Sequence, residues 1–402
     1  MERDYIQRRN PPLGQPSRRR PVRRKRRGPP PFFILALILI VLIVAVVLIV
    51  TLGRREDEPE ADSSSAVFSS ALVSDAPVSS DPEPTSAPTP TPAPPARDPD
   101  SAPELHDPLI SVDGAAYEYY KFDEDAAKRY IDAVTDGANH ISGATLYSII
   151  IPTSMDVMLS DAYLDNHQIN SSNQRSAIQW INDSFNAINP SINTVPIFDT
   201  LKSHNGEYIY FRTDRHWTQR GAYYGYAEFC KAKGIEAVPL DDFDKKEYDG
   251  YLGSFYETLY DDEMRDDPDT VEAYLSDADT SLSYTDGSGN QVSDWPVIMN
   301  GDGYDSSYLY YIFCAANQPY KVLENDDLDD GSACVVVMES FGNVFLPYLT
   351  SHYQKVYAVD YRYYGGSVSQ LVSDTGAKDV IVITHIGATS DEDLIEDLED
   401  IL

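Results

Sequence analysis

The feature that most limits how this 402-residue chain can fold is an unbroken run of 21 uncharged residues, Phe32 to Leu52, nearly all Ile, Leu, Val, Phe or Ala. As an α-helix it reaches about 31 Å, the thickness of a bilayer's hydrocarbon core. A transmembrane helix is therefore expected at 32–52, and it divides the chain into parts that no single fold covers. Ahead of it, residues 1–31 form a Pro-interrupted basic arm, with eleven Lys or Arg against only Glu2 and Asp4 in residues 1–28. The apolar run is longer than a signal peptide's core and no clear small-x-small cleavage site comes after it, so an uncleaved anchor is expected. With the arginine cluster before the span and only Arg54 and Arg55 after it, the positive-inside rule places the N-terminus in the cytoplasm and the remainder outside. An arm abutting such a span is read as a topogenic, lipid-facing segment, not as a nucleic-acid contact.

Residues 53–106 carry eleven prolines among Ser, Ala, Thr, Asp and Glu, with few large apolar side chains. Such a stretch cannot bury enough surface to offset the entropy of ordering, so a disordered linker is expected. It would span on the order of 40 Å as a coil, and more where Pro82 to Pro95 stiffens.

The exported part of the chain is strongly acidic. Without the arm, 20 basic residues face 63 acidic ones, a formal balance of −43. Repulsion then argues against nucleic acid or another polyanion as a tightly held partner. Acidic stretches such as Asp266-Asp-Pro-Asp269 lack the glycine and spacing of a calcium loop. Cys230, Cys314 and Cys334 make neither a disulfide framework nor a zinc pattern, and their apolar surroundings mark them as small buried hydrophobes.

From residue 107 to 402 the pattern is alternating α/β. Strands are expected at Thr145 to Pro152, Asn193 to Phe198, Ala333 to Met338, Lys355 to Val359 and Val380 to Thr384. Helices are expected at Asn173 to Ile188, Asn343 to Leu349, Val368 to Thr375 and Asp391 to Ile401. Continuous apolar strands separated by helices imply a mostly parallel sheet with helices on both faces. Residues 240–330 break the rhythm: a hairpin turning at Asp286 to Asn290 is expected there, in a region that reads as a cap or insertion.

Two stretches carry chemistry. The first runs from Tyr208 to Tyr226, where a short strand-like segment passes into a helix capped by Thr218 and stopped by Gly234. Asp214, His216 and Trp217 sit on its non-helical lead-in. Two positions apart on an extended segment, Asp214 and His216 share a face, so an acid-to-imidazole bond is reasonable. As metal ligands they would lack a visible third partner. The second is Glu339-Ser340-Phe-Gly342-Asn343, where the most apolar strand meets a helix start and ligands of an open sheet bind. Ser340 there is a nucleophile with turn N–H groups behind it, or simply a helix N-cap. Trp217, Tyr223 and Tyr224 read as core packing or as an aromatic wall for a sugar ring. His204, His352 and His385 are isolated and read as surface or hydrogen-bonded histidines.

The stretch Thr213-Asp-Arg-His-Trp-Thr-Gln-Arg-Gly-Ala-Tyr-Tyr-Gly-Tyr226 resembles the Asp-His-His-Trp (DHHW) family of bacterial envelope proteins. More distantly it is similar to the Asp-x-His-Trp segment of alginate O-acetyltransferases, whose catalytic domains resemble SGNH hydrolases. Arg215 replaces the family's first histidine. The resemblance runs from about residue 107 to the C-terminus and implies an SGNH-like domain. It also implies Ser340 as nucleophile, in a segment similar to Asp-Ser-Phe-x-Asn with Glu339 for the acid. His216 would then be its base and Asp214 the orienting acid. Gly342 would allow close approach of substrate, and Asn343 would donate a side-chain N–H. Asn317, in Ala-Asn-Gln-Pro319, matches a Gly-Asn-x-Pro segment and would be a second oxyanion donor, or else an Asx-turn before proline. The implied function is a membrane-anchored, extracellular serine esterase or O-acetyltransferase acting on envelope polysaccharide, with no metal or cofactor. A multi-span acetyl-exporting membrane protein is the implied partner of a transferase. The alternative is an inactive relative that binds glycan or assists assembly at the cell surface.

Overall fold

The computed structural model describes residues 98–402. The basic arm, the expected membrane span and the linker up to residue 97 lie outside the described residues. Among the described residues no helix is long and apolar enough to cross a membrane.

Residues that composition assigns to the end of the linker already take part in the fold. Asp98 accepts hydrogen bonds from the Ser160 N–H and hydroxyl at 2.8 and 2.5 Å. Strand β1 (Glu104–Leu105) pairs with β2 (Leu109–Val112), which pairs in turn with β3 (Ala115–Glu118) in a small antiparallel meander. Helix α1 (Glu124–His140) comes next, capped by the Asp123 carboxylate, which accepts from the Asp125 and Ala126 N–H groups. Its buried stripe of Ala126, Ala127, Tyr130, Ile131 and Val134 recurs at helical spacing.

The main sheet is built from β4 (Thr145–Ile151), β5 (Asn193–Val195), β8 (Thr280–Thr285), β9 (Gln291–Trp295), β10 (Tyr320–Asn325), β11 (Ala333–Met338), β12 (Lys355–Asp360) and β13 (Asp379–His385). Their spatial order is β5-β4-β13-β11-β12-β10-β8-β9. The pairs from β5 to β12 are parallel, and β10, β8 and β9 join antiparallel. The sheet is thus mostly parallel, as the apolar strands imply, but one flank of it is made by the region that reads as an insertion. Residues 240–330 are therefore divided. β8, β9 and β10 extend the sheet, with the Asp286 carboxylate accepting the Ser288 and Asn290 N–H groups of the expected turn. A separate ribbon of β6 (Asp244–Tyr251) and β7 (Asp269–Leu275) holds two short helices, Ser254–Leu259 and Asp262–Asp266, between its strands.

Both faces are covered. Tyr147 of β4 meets Phe229 edge-on, with centroids 5.1 Å apart, on helix α3 (Gln219–Lys233), which succeeds α2 (Gln174–Ile188) in the chain. Thr384 of β13 lies beside Ile150, on the opposite face by the two-residue alternation, and bonds the Tyr130 hydroxyl of α1 at 3.1 Å. Helices α4 (Val368–Thr375) and α5 (Glu392–Ile401) both pack on α1. The caps expected at Thr218 and Gly234 are present; the latter takes φ 78°. Two expected elements are shorter. β5 stops at Val195 because Pro196 offers no N–H to a ladder, and a short helix, Phe198–Ser203, starts where the strand was expected to end. The helix expected at Asn343 to Leu349 is a 3-10 turn, Ser340–Val344, then a single helical turn, Leu346–Leu349. Cys230, Cys314 and Cys334 are buried and unpaired.

Candidate active site

Parallel strands deliver their carboxyl ends to one edge of the sheet, and the most deeply buried of them ends beside Ser340. Every residue of β11 is buried, and the chain leaves it through Glu339 into the 3-10 turn. The lead-in to α3 reaches the same place from the other side. It is not the extended segment expected. Tyr210 and Trp217 form an antiparallel bridge, so residues between them make a tight loop with Asp214 and His216 near its tip. The bond expected between them forms there: His216 Nδ1 lies 2.6 Å from Asp214 Oδ1, which also accepts the His216 N–H at 2.9 Å. On its far side His216 Nε2 lies 2.8 Å from Ser340 Oγ. Residues 124 positions apart in the chain are thus joined into a serine–histidine–aspartate line.

The electrostatics fit that line. Asp214 is 2 % exposed, and burial alone would raise its pKa. The His216 charge, with hydrogen bonds from His216 and the Ser254 N–H, outweighs burial and keeps the carboxylate well below its usual range. The imidazole is clamped between the Tyr310 ring, stacked at 4.2 Å, and Phe341 at 4.5 Å. Tyr310 also donates its hydroxyl to the Ser340 carbonyl at 2.9 Å. These contacts fix the rotation of the ring while leaving both nitrogens engaged. A pocket of about 340 Å³ opens beside Ser340, between Arg215, Arg362, His385 and the acids Asp391 and Asp393.

Three of the residues with a substrate-handling reading have other duties, and for Trp217 it is the core-packing reading that holds. Trp217 is wholly buried and donates its indole N–H to the Phe341 carbonyl at 2.8 Å, so it ties the histidine loop to the serine turn and presents no wall to a sugar. Gly342 does not expose backbone to substrate: a Cβ there would fall 2.6 Å from Met338 Sδ, so the glycine is required by packing. Its N–H is spent on the Glu339 carbonyl at 2.8 Å, and the Phe341 N–H on the Glu339 carboxylate at 3.2 Å, which removes these turn amides from an oxyanion role. Asn343 is 1 % exposed and gives its side-chain N–H to Asn317 Oδ1 at 3.0 Å instead of to a ligand. Asn317 receives that bond at its side-chain oxygen. Its Nδ2 has no hydrogen-bond partner among the described residues, and it stands at the same edge of the sheet, just before β10.

The residues that hold this arrangement together carry no local sequence signal. Asp269, 1 % exposed, accepts bonds from the Tyr208 hydroxyl, the Arg212 and Thr213 N–H groups and the Thr213 hydroxyl, all between 2.7 and 3.2 Å. It pins the loop's entry from the ribbon, and the run of acids around it conceals that role in the sequence. Gly253 lies against Asp214, where a Cβ would fall 2.3 Å from the Asp214 Cβ. Its bareness lets the next N–H, that of Ser254, reach Asp214 Oδ2 at 2.8 Å. Glu339, 2 % exposed, lies 3.2 Å from Ser340 Oγ and accepts from the His385 N–H and Nδ1 at 3.1 and 3.3 Å. Burial would raise its pKa, but the His385 charge and hydrogen bond, then Arg362 and His216, hold it at about 2. His385, read as isolated, is therefore bonded to Glu339 and stacked on Phe341 at the pocket wall. His204 and His352 are hydrogen-bonded side chains away from the line, to Glu207 and Tyr226.

The fold is that of several solved proteins. A DHHW family protein from Eubacterium siraeum is 21% identical, with a TM-score of 0.66, over 75% of this chain and 97% of its own. Bacillus cereus PatB1 is 16% identical, with a TM-score of 0.58, over 71% of this chain and 98% of its own, and it has also been solved with a sulfonyl adduct. No curated protein sequence matches. The family profile described as DHHW protein matches residues 69–359, beginning well before the expected start near 107 and spanning both the His216 loop and Ser340. With Arg215 in place of the first histidine and the rest of the four-residue signature intact at the site, the chain belongs to the DHHW family.

Proposed function

We propose that this protein is a serine esterase or O-acetyltransferase, anchored in the cell membrane and acting outside it on cell-envelope polysaccharide. The observation that carries the chemical part is the unbroken line from Ser340 Oγ through His216 to a buried, ionised Asp214. A serine hydroxyl attacks an ester only when a base removes its proton, and an oriented imidazole at 2.8 Å does that. Oγ bonds to the acyl carbon as its proton passes to His216 Nε2, and the carbonyl oxygen becomes an oxyanion, for which the Asn317 NH2, without a hydrogen-bond partner among the described residues, is the candidate donor. His216 returns the proton to the departing alkoxide, leaving an acyl group on Ser340. Water or a sugar hydroxyl, deprotonated by the same imidazole, then takes that acyl group. The structural neighbours support the fold; the anchor, the polysaccharide and a partner that exports acetyl rest on the sequence reading.

A fluorophosphonate probe on the full chain tests the chemistry. Labelling that disappears in Ser340→Ala and His216→Ala is expected. An unlabelled wild type that nevertheless retains glycan would establish the binding protein in its place.

A further inference from the structure

Lys321, the second residue of β10, is wholly buried. A buried ammonium is costly unless it is paired, yet among the described residues Lys321 makes no salt bridge. Its hydrogen bond runs from Nζ to the amide oxygen of Asn343 at 2.5 Å. Asp360, whose charge it feels, is already gripped by Arg362 through two bonds of 2.8 and 2.7 Å. Burial pushes the Lys321 amine down to about 8, opposed by Cys314 and Asp360 and reinforced by Arg362, so most of the charge survives at neutral pH.

That charge has a direction. An ammonium offers three donors and no acceptor, so the atom of Asn343 that faces it is oxygen. The other end of that amide is then NH2, and it donates to Asn317 at 3.0 Å. The atom of Asn317 that receives it must again be oxygen, which leaves the Asn317 NH2 pointing away from the chain of bonds. Just before Asn317, Cys314, Ala315 and Ala316 hold φ values of 48°, 55° and 60°, a left-handed run that L-residues adopt only at a cost in energy. An unpaired buried cation and a strained turn thus converge on one side-chain amide.

We propose that Lys321 is a positioning residue for the oxyanion site: through Asn343 it sets the Asn317 NH2 toward the carbonyl oxygen of an acyl group on Ser340 and polarises it for the charge that develops there. The inference rests on the acyl-transfer reading above. Two substitutions test it through the rate of Ser340 labelling by a fluorophosphonate, in the full chain. Lys321→Met removes an unpaired buried charge, so thermal stability should hold or rise while labelling slows roughly 10-fold to 100-fold. Asn343→Asp gives Lys321 the carboxylate it lacks but turns an oxygen toward Asn317 and reverses that amide, so the same slowing is expected with no loss of stability. If the first variant fails to fold, the second decides alone. Since both act through Asn317, neither should slow an Asn317→Ala protein further. Wild-type labelling rates in Asn343→Asp, or losses that multiply with Asn317→Ala, overturn the proposal while leaving the serine reading intact. An unlabelled wild type overturns both.

Discussion

Ser340 and His216 meet at 2.8 Å, yet they arrive there by opposite means. The serine stands at the end of a six-residue strand that is buried throughout and hydrogen-bonded to parallel neighbours on both sides. Its position is the sum of many small apolar contacts, so no one of them is decisive. The histidine stands on an irregular loop with almost no ladder of its own. That loop is held by Asp269, by the N–H of Ser254 and by the space that Gly253 leaves, all contributed by the ribbon some 40 to 60 residues further on. A site half built by packing and half by a few polar contacts should fail differently on its two sides.

The sharpest break is His216→Ala, which should lower turnover of a test ester by roughly 10⁴-fold to 10⁶-fold with the fold retained. A loss of only tenfold in steady-state kinetics would end the triad mechanism. Next comes Gly253→Ala. Its new Cβ must displace Asp214 by about an ångström, and a misplacement of that size costs on the order of 10²-fold in kcat. Asp269→Ala should then lower stability by about 3 kcal/mol, because five donors lose a buried acceptor at once, with a smaller fall in turnover. Denaturant titration and kinetics on the same sample would separate those two effects. On the serine side, Val336→Ala within β11 should cost about 2 kcal/mol of stability and leave turnover unchanged. A kinetic defect there would show that the two sides are not held so differently.

Acid should act through Glu339. Its folded-state pKa of about 2 lies below the ordinary 4.5, so the stability it contributes is present above 4.5 and is lost as the pH falls toward 2. Unfolding midpoints of wild type and Glu339→Gln should therefore converge across that window, and parallel curves would refute the assignment.

The same division governs what can be read from the residues alone. β4, β11, β12 and β13, with α2, α4, α5 and the caps at Thr218 and Gly234, follow from local periodicity and capping chemistry, and the structure has them within a residue or two. Asp214, His216 and Ser340 can be singled out because each lies at the end of such an element. Gly342 is expected at the substrate because it flanks one of those residues, but sequence adjacency does not say which way a residue faces; of the two readings of Trp217, the structure has core packing. Gly253, Asp269 and Lys321 escape notice for a related reason. The purpose of each is a distance to a residue far along the chain, and nothing in their immediate neighbours encodes it. Helix α1 is not among the expected elements, although its apolar spacing and the cap at Asp123 are regular.

One reversal of direction has an outcome for how such a site can diversify. Because β10 runs against β12, with Tyr320 opposite Val359, and β8 runs against β10, with Thr285 opposite Tyr320, the hairpin tip after Thr285 emerges at the reactive rim. Asp286 and Gly287 there share a cavity of about 460 Å³ with Asn317 and Tyr363. A lineage can thus lengthen, shorten or recharge that tip, and so re-dress the cavity beside Asn317, without disturbing a single strand of the framework behind it.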